Sequence, residues 1–163
     1  MRMWIKRKLV NKVMPKEFGF IAGLFHAGIF HLQSCVIDTI GNIGYKDYIF
    51  PSIKEAINRV ENIGMEPIAG ETMEEFGNRF IKVLKKSLLV KDAEFKKINE
   101  NEYEFSLIGC FMASSAHTIA GTKGVCPMAM TFSAMVEKYS GKDIDIEYSE
   151  LTPKGSKTKI LTR

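Results

Sequence analysis

Ala93-Glu-Phe-Lys-Lys-Ile98, then Asn99-Glu-Asn101, then Glu102-Tyr-Glu-Phe-Ser-Leu107: along this stretch the hydrophobic period of the chain changes from helical to extended. Tyr103, Phe105 and Leu107 alternate with Glu102, Glu104 and Ser106, the period-2 pattern of a strand with one buried face. Asn99-Glu-Asn101 is short and rich in turn formers, so the stretch predicts a β-hairpin.

Upstream of the hairpin the pattern is helical. Phe18 to Ile43 is long and apolar, punctuated by small residues that permit close packing. Pro51 sits where a proline suits the first turn of a helix, and Ile53, Ile57 and Val60 recur behind it until Gly64 ends the segment. Thr72 with Glu75 three residues on reads as a capping box. It opens a third helix with the apolar stripe Phe76, Phe80, Val83, Leu84 and Leu88.

Downstream, Gly124-Val-Cys126-Pro127 opens a last helix that stops before Gly141. Ile144, Ile146 and Tyr148 then alternate with Asp143, Asp145 and Glu147, predicting a strand over 143–151. Pro153-Lys-Gly155 turns the chain into a final strand over 156–162. The expected architecture is α+β: helices packed on one face of a four-stranded antiparallel sheet, in the order helices, hairpin, helix, hairpin.

The chain has 163 residues, a length that suggests one domain. Its formal net charge is +4, but the charge is segregated. Residues 1–16 carry six bases and residues 154–163 four, neither with an acid. The body between them is net acidic, so it does not have the pervasive basic surface of a nucleic-acid clamp. Residues 1–16, with Trp4, Ile5, Leu9 and Val10 among the bases, form a candidate arm for nucleic acid or an acidic partner, and 17–163 form the folded body. The bases at 154, 157 and 159 belong to the closing hairpin, as a solvated face or as edge protection. No apolar run spans a bilayer, since Phe18–Ile37 is interrupted by His26, His31, Gln33 and three glycines. Three scattered cysteines without a CxxC suit a reducing compartment, and the cytoplasm is the expected location.

Three constellations could carry chemistry. Cys126 falls at the N-cap of the last helix, where backbone N–H groups stabilise a thiolate. With His117 as base it could be a nucleophile in a cysteine-dependent hydrolase, or it could be a small buried residue packing the helix start. His31 and Cys35, at i and i+4, could offer two metal ligands or simply line a pocket or core. Phe111, Met112, Met128, Met130, Phe132 and Met135 form a sulfur and aromatic cluster. Such a cluster suits either an ordinary core or a cavity for flexible apolar molecules.

Gly124-Val-Cys-Pro-Met128, Gly141, and Glu147-Tyr-Ser-Glu-Leu-Thr-Pro-Lys-Gly155 leading into the last strand resemble the 4-vinyl-reductase, or hydrocarbon-binding, domain family. Related domains are the sensor modules of phenol-responsive regulators, and the fold recurs in transport-particle subunits of vesicle tethering. The element order over about residues 15–162 agrees with this resemblance. It implies a small hydrophobic ligand held between the helical layer and the sheet, and a homodimer. The residues it singles out for ligand contact are Phe111, Met112, His117, Met128, Phe132 and Tyr148. It also implies a zinc site, whose closing-hairpin glutamate falls on Glu147 and whose glycine falls on Gly155. The family's two hairpin cysteines become Glu150 and Thr158, and Cys110 stands near the upstream cysteine. With two thiolates replaced, no tightly bound zinc is expected; Cys110, Glu147 and Glu150 are the fallback ligands, and no cofactor is required. The expected role is a stand-alone sensor or carrier of a hydrophobic molecule, because the sequence carries no additional output domain; no nicotinamide or flavin fingerprint is present to make it a reductase.

Overall fold

The computed structural model describes residues 16–41, 43–87, 89–113, 117 and 124–163. The basic arm, apart from Lys16, and Leu88 of the third stripe lie outside them. Helix α1 spans Lys16–Ile40. A π turn, Tyr45–Ile49, runs directly into α2, Phe50–Asn62, with Pro51 in its first turn, where the missing N–H costs nothing. Helix α3 is Met73–Ser87. Thr72 Oγ1 accepts the Glu75 amide at 3.2 Å, and the Glu75 carboxylate accepts the Glu71 amide at 3.0 Å, a capping box displaced by one residue. The buried stripe of α3 is Met73, Phe76, Gly77, Phe80 and Leu84. Val83, expected in it, is turned outward, because it lies about 60° around the helix from Phe80 on the solvent side.

The first hairpin forms as read: β1 (Asp92–Lys97) pairs antiparallel with β2 (Glu102–Ile108), Phe95 opposite Phe105. The second departs from its prediction. The strand expected over 143–151 is divided into β3 (Ile144–Ile146) and β4 (Glu150–Thr152), both paired with β5 (Gly155–Thr162). Ile146 faces Ile160 and Glu150 faces Lys157, so residues 147–149 oppose only 158 and 159. This extra residue is a β-bulge, and it gives five strands where four were predicted. The sheet order is β1-β2-β5-β3, with β4 also on β5, so β5 is an interior strand. Lys157 and Lys159 therefore stand on the solvent face of the sheet and not along its edge. There they meet Glu104 at 2.9 Å and Glu102 at 3.3 Å, while Arg163 meets Asp145 at 2.5 Å. Pairs this exposed are screened by solvent and add little to stability. Their main effect is to cancel the basic C-terminal segment locally.

Helix α3 lies on β1, where a Cβ at Gly77 would come within 2.3 Å of the Phe95 ring. Helix α4, Pro127–Ser140, is buried on almost every side. Its Phe132 ring stacks on Phe105 with centroids 5.6 Å apart, tying α4 to the sheet, and α2 and α1 pack on it from outside. Among the described residues the order is sheet, then α3 and α4, then α1 and α2.

The segment entering α4 joins three of these parts. Gly124 has φ +147, and Phe30 of α1 is fully buried against it. The Gly124 carbonyl accepts the Ser149 amide at 2.8 Å, and the Val125 carbonyl accepts Gln33 Nε2 at 2.9 Å. The Cys126 amide donates to Ser149 Oγ at 2.8 Å. Beside it, the buried rings of His26 and His117 lie 5.9 Å apart, and His117 Nδ1 bonds the Thr152 carbonyl at 2.7 Å. Burial, helped by the neighbouring His117, pushes His26 down to about 4.

Two outcomes follow from this junction. A Cβ at position 124 would meet the Phe30 ring at 2.3 Å in a backbone conformation that L residues rarely adopt. Gly124→Ala should therefore lower stability by about 3 kcal/mol in urea denaturation. Adding Phe30→Leu should recover part of the Gly124→Ala loss, and a strictly additive double mutant would contradict the packing described. The second outcome concerns acid. His26 is neutral when folded down to about pH 4 but takes up a proton near 6.5 when unfolded. Stability should therefore be full above pH 6.5 and fall as pH drops toward 4, by up to roughly 3 kcal/mol. Denaturation midpoints at pH 7.5, 6 and 5 check this, and His26→Leu should flatten the profile.

Candidate functional site: an apolar cavity between helices

Helix α4 presents two different apolar faces. Phe132 and Val136 are buried toward the sheet side, while Met130, Met135 and Tyr139 line a cavity of about 750 Å³ on the other side. Its remaining walls come from Leu32 and Gln33 of α1, Ile53 and Ile57 of α2, and the loop from Met65 to Ile68. Phe80 of α3 also reaches it. Met130 and Phe80 are buried, whereas Leu32, Tyr48 and Met65 are exposed, so the cavity has a closed floor and an open rim. The volume lies within the range that holds a drug-sized ligand, roughly 300–1,000 Å³.

Two ion pairs hold α2 across α4 beside the cavity: Lys54 to Glu137 and Lys138 to Glu61, each at 2.6 Å. Lys138 also donates to the Tyr139 hydroxyl at 3.1 Å. The second carboxylate oxygen of Glu61 is buried without a hydrogen-bond partner, as is Oε1 of Gln33. Among the described residues the lining contains no lysine, arginine, histidine or cysteine; its charged residues there are Glu61 and Glu66.

The cavity lies between the helical layers and not between helices and sheet, where the resemblance had implied a ligand. Met130 and Met135 of the sulfur and aromatic cluster line it. None of the six residues singled out for ligand contact does. Phe132 is fully buried among Phe80, Phe95 and Phe105. Met128 is half-buried at the start of α4, Phe111 and Tyr148 are exposed, Met112 is half-buried after β2, and His117 pairs with His26. The cavity walls on α1 and α2 were missed, although the apolar recurrence at Ile53, Ile57 and Val60 had marked one of them.

Cys126 does occupy the N-cap of α4, yet the thiol is buried, and burial pushes it up, with only partial relief from the Ser156 hydroxyl. Desolvation thus outweighs the helix N-terminus, and Cys126 is the small buried residue that packs the helix start. Burial raises Cys110 as well. Glu147 is exposed, 3.6 Å from Lys159, and Glu150 is exposed across from Lys157 on the far side of the bulge. Thr158 is fully buried, its hydroxyl 2.6 Å from that of Ser149. No group of three or more His, Cys, Asp or Glu is placed to hold a metal ion among the described residues. His31 and Cys35 are both exposed on α1. No helix among the described residues is long and apolar enough to cross a membrane.

The sequence matches no protein-family model. No curated protein matches it either. Among solved structures it is similar to the crystal structure of a trafficking protein particle complex subunit 3 from Naegleria fowleri covalently bound to palmitic acid. The TM-score is 0.54 at 10% identity, with 91% of this chain and 97% of that one covered. At that identity the likeness is one of fold, and it agrees with the expected vesicle-tethering subunit architecture: this chain is an α+β protein with the fold of that trafficking-particle subunit.

Proposed function

We propose that the protein binds a small hydrophobic molecule in the cavity between α1, α2 and α4, as a cytoplasmic sensor or carrier of the hydrocarbon-binding, 4-vinyl-reductase type. The observation that carries the reading is the cavity itself: about 750 Å³, walled mainly by aliphatic side chains and methionines, with a buried floor. Methionine adapts its shape to flexible apolar ligands. The palmitic acid held by the structural neighbour is compatible with this reading. No described lining residue is a cysteine, which supports non-covalent binding in this reading. The three thiols are free, as a reducing compartment keeps them. Native mass spectrometry of the purified protein, followed by thermal shifts across aromatics and long-chain lipids, tests the proposal. A bound ligand at a hundredfold excess over Kd adds about 2.7 kcal/mol of stability. Ala56→Trp, which fills the cavity from α2, should abolish the shift while leaving the unliganded midpoint nearly unchanged. No co-purified mass and no shift with any compound would end this reading.

A second copy of the chain is the proposed partner. Helix α1 is apolar on both sides: Phe30 and Ile37 face inward together with His26 and Gln33, while Phe25 (71% exposed), Leu32 (69% exposed), Leu24 and Ile29 face out. No charged residue occurs from 18 to 37, so this face does not repel a copy of itself. Gly28 lies within it with open space where a Cβ would stand, a notch at which two such helices can cross closely. Light scattering after size-exclusion chromatography should give twice the chain mass of 18.4 kDa. Phe25→Glu with Leu32→Glu should give one chain mass with an unchanged circular dichroism spectrum.

A further inference from the structure

We propose that a second copy of the chain completes the cavity: it covers the open rim, so that uptake of a hydrophobic molecule and association of copies strengthen one another. This regulation of the cavity rests on the ligand-binding and dimer readings above. Phe25, Gly28, Ile29 and Leu32 recur at i, i+3, i+4 and i+7, a single stripe along α1. Phe25 stands outside the cavity lining, whereas Ile29 and Leu32 belong to it, both still exposed. The stripe thus runs from the outward face directly onto the cavity mouth.

Spacing along the helix decides what a second copy reaches. Gly28, with open space where a Cβ would stand, lies four residues from Leu32, about 6 Å along the axis. Crossing helices pack with their axes roughly 8–10 Å apart, so the side chains of a copy crossing at Gly28 cover Leu32 and the mouth beside it. The exposed apolar side chains from Ile21 to Leu32, with Tyr48 and Met65 of the rim, offer on the order of 800 Å², what one partner brings to a stable interface of standard size. No charged residue from 18 to 37 opposes this contact.

A ligand seated on the buried floor at Met130 and Phe80 fills a cavity that is still open at Ile29, Leu32, Tyr48 and Met65. Part of its apolar surface stays in water until the rim is covered. Conversely, a filled mouth gives the second copy atoms to pack against where an empty one leaves a void. The two effects are one free energy, so ligand and copy change each other's affinity by the same factor. In a two-fold dimer each chain's cavity is covered, and the factor enters twice when two filled chains associate.

The test measures Nile red affinity by fluorescence at pH 7.5 and the dimer constant by analytical ultracentrifugation. Leu24→Glu with Phe25→Glu disrupts the outward face without touching the lining. This variant should run as one chain mass and bind the dye about tenfold more weakly than the unaltered dimer. Diluting the unaltered chain until it dissociates should weaken the dye by the same factor, with no substitution involved. Saturating dye should tighten association of the unaltered chain about a hundredfold, and should leave that of Ala56→Trp unchanged. Equal dye affinity in single and paired chains overturns this inference and leaves both earlier readings standing. One chain mass with and without dye gives the face to a lipid surface or a different protein, and overturns the dimer reading along with the inference. Dye uptake that is absent, or undiminished in Ala56→Trp, sinks the ligand-binding reading and this inference together.

Discussion

Gly124, Val125 and Cys126 form an extended segment whose polar groups are met from three directions. Ser149 in the bulge binds it twice, through its amide to Gly124 and its hydroxyl to Cys126. Gln33 of α1 binds the Val125 carbonyl, and the Cys126 carbonyl starts the α4 ladder by accepting from Met130 at 3.0 Å. Buried backbone groups that lack partners cost of the order of 1–3 kcal/mol each. Ser149 reaches these groups because the bulge turns it inward, and the Thr158 hydroxyl beneath it completes the network. A regular strand would place residue 149 elsewhere, and the start of α4 would lose its hold on the sheet.

Helix α4 then works as a partition. One side is sealed by stacked aromatic rings against the sheet. The other side is left to α1 and α2, joined to it by longer side chains and two ion pairs. Because α1 supplies both a wall of the cavity and the outward apolar face, Ile29 and Leu32 belong to the cavity lining and to that face alike.

Features written in short-range patterns were legible in the sequence. The alternation at Tyr103, Phe105 and Leu107 gave β2 its buried face, and Pro127 and Gly141 bounded α4 correctly. The bulge was not legible: Ile144, Ile146 and Tyr148 alternate as one strand would, and only the distant Gly124 and Cys126 give Ser149 a reason to point inward. The cavity was hidden for a related reason. Residues 127–136 of α4 carry no charge and are apolar or small on every face, so periodicity cannot say whether Phe132 or Met130 faces the sheet. Residues 33, 53, 65 and 130 come together only through the packing of helices. The charged sheet face was half legible: lysines in the closing hairpin read as either a solvated face or edge protection, and the interior place of β5 and its register with β2 were needed to decide between them and to name their partners.

The position of β5 has a consequence for how the protein is made. It follows every other described element in sequence, yet it sits inside the sheet and carries Thr158 beneath the α4 junction. During synthesis the first hairpin can form early, but β2 has no neighbour on its inner side until residues 155–162 have left the ribosome. Until then the helices have only half a sheet to rest on, and the apolar surface of α1 and α4 stays uncovered. The emerging chain thus passes through an aggregation-prone stage before β5 is available, and this fold closes only when that strand slots between β2 and β3.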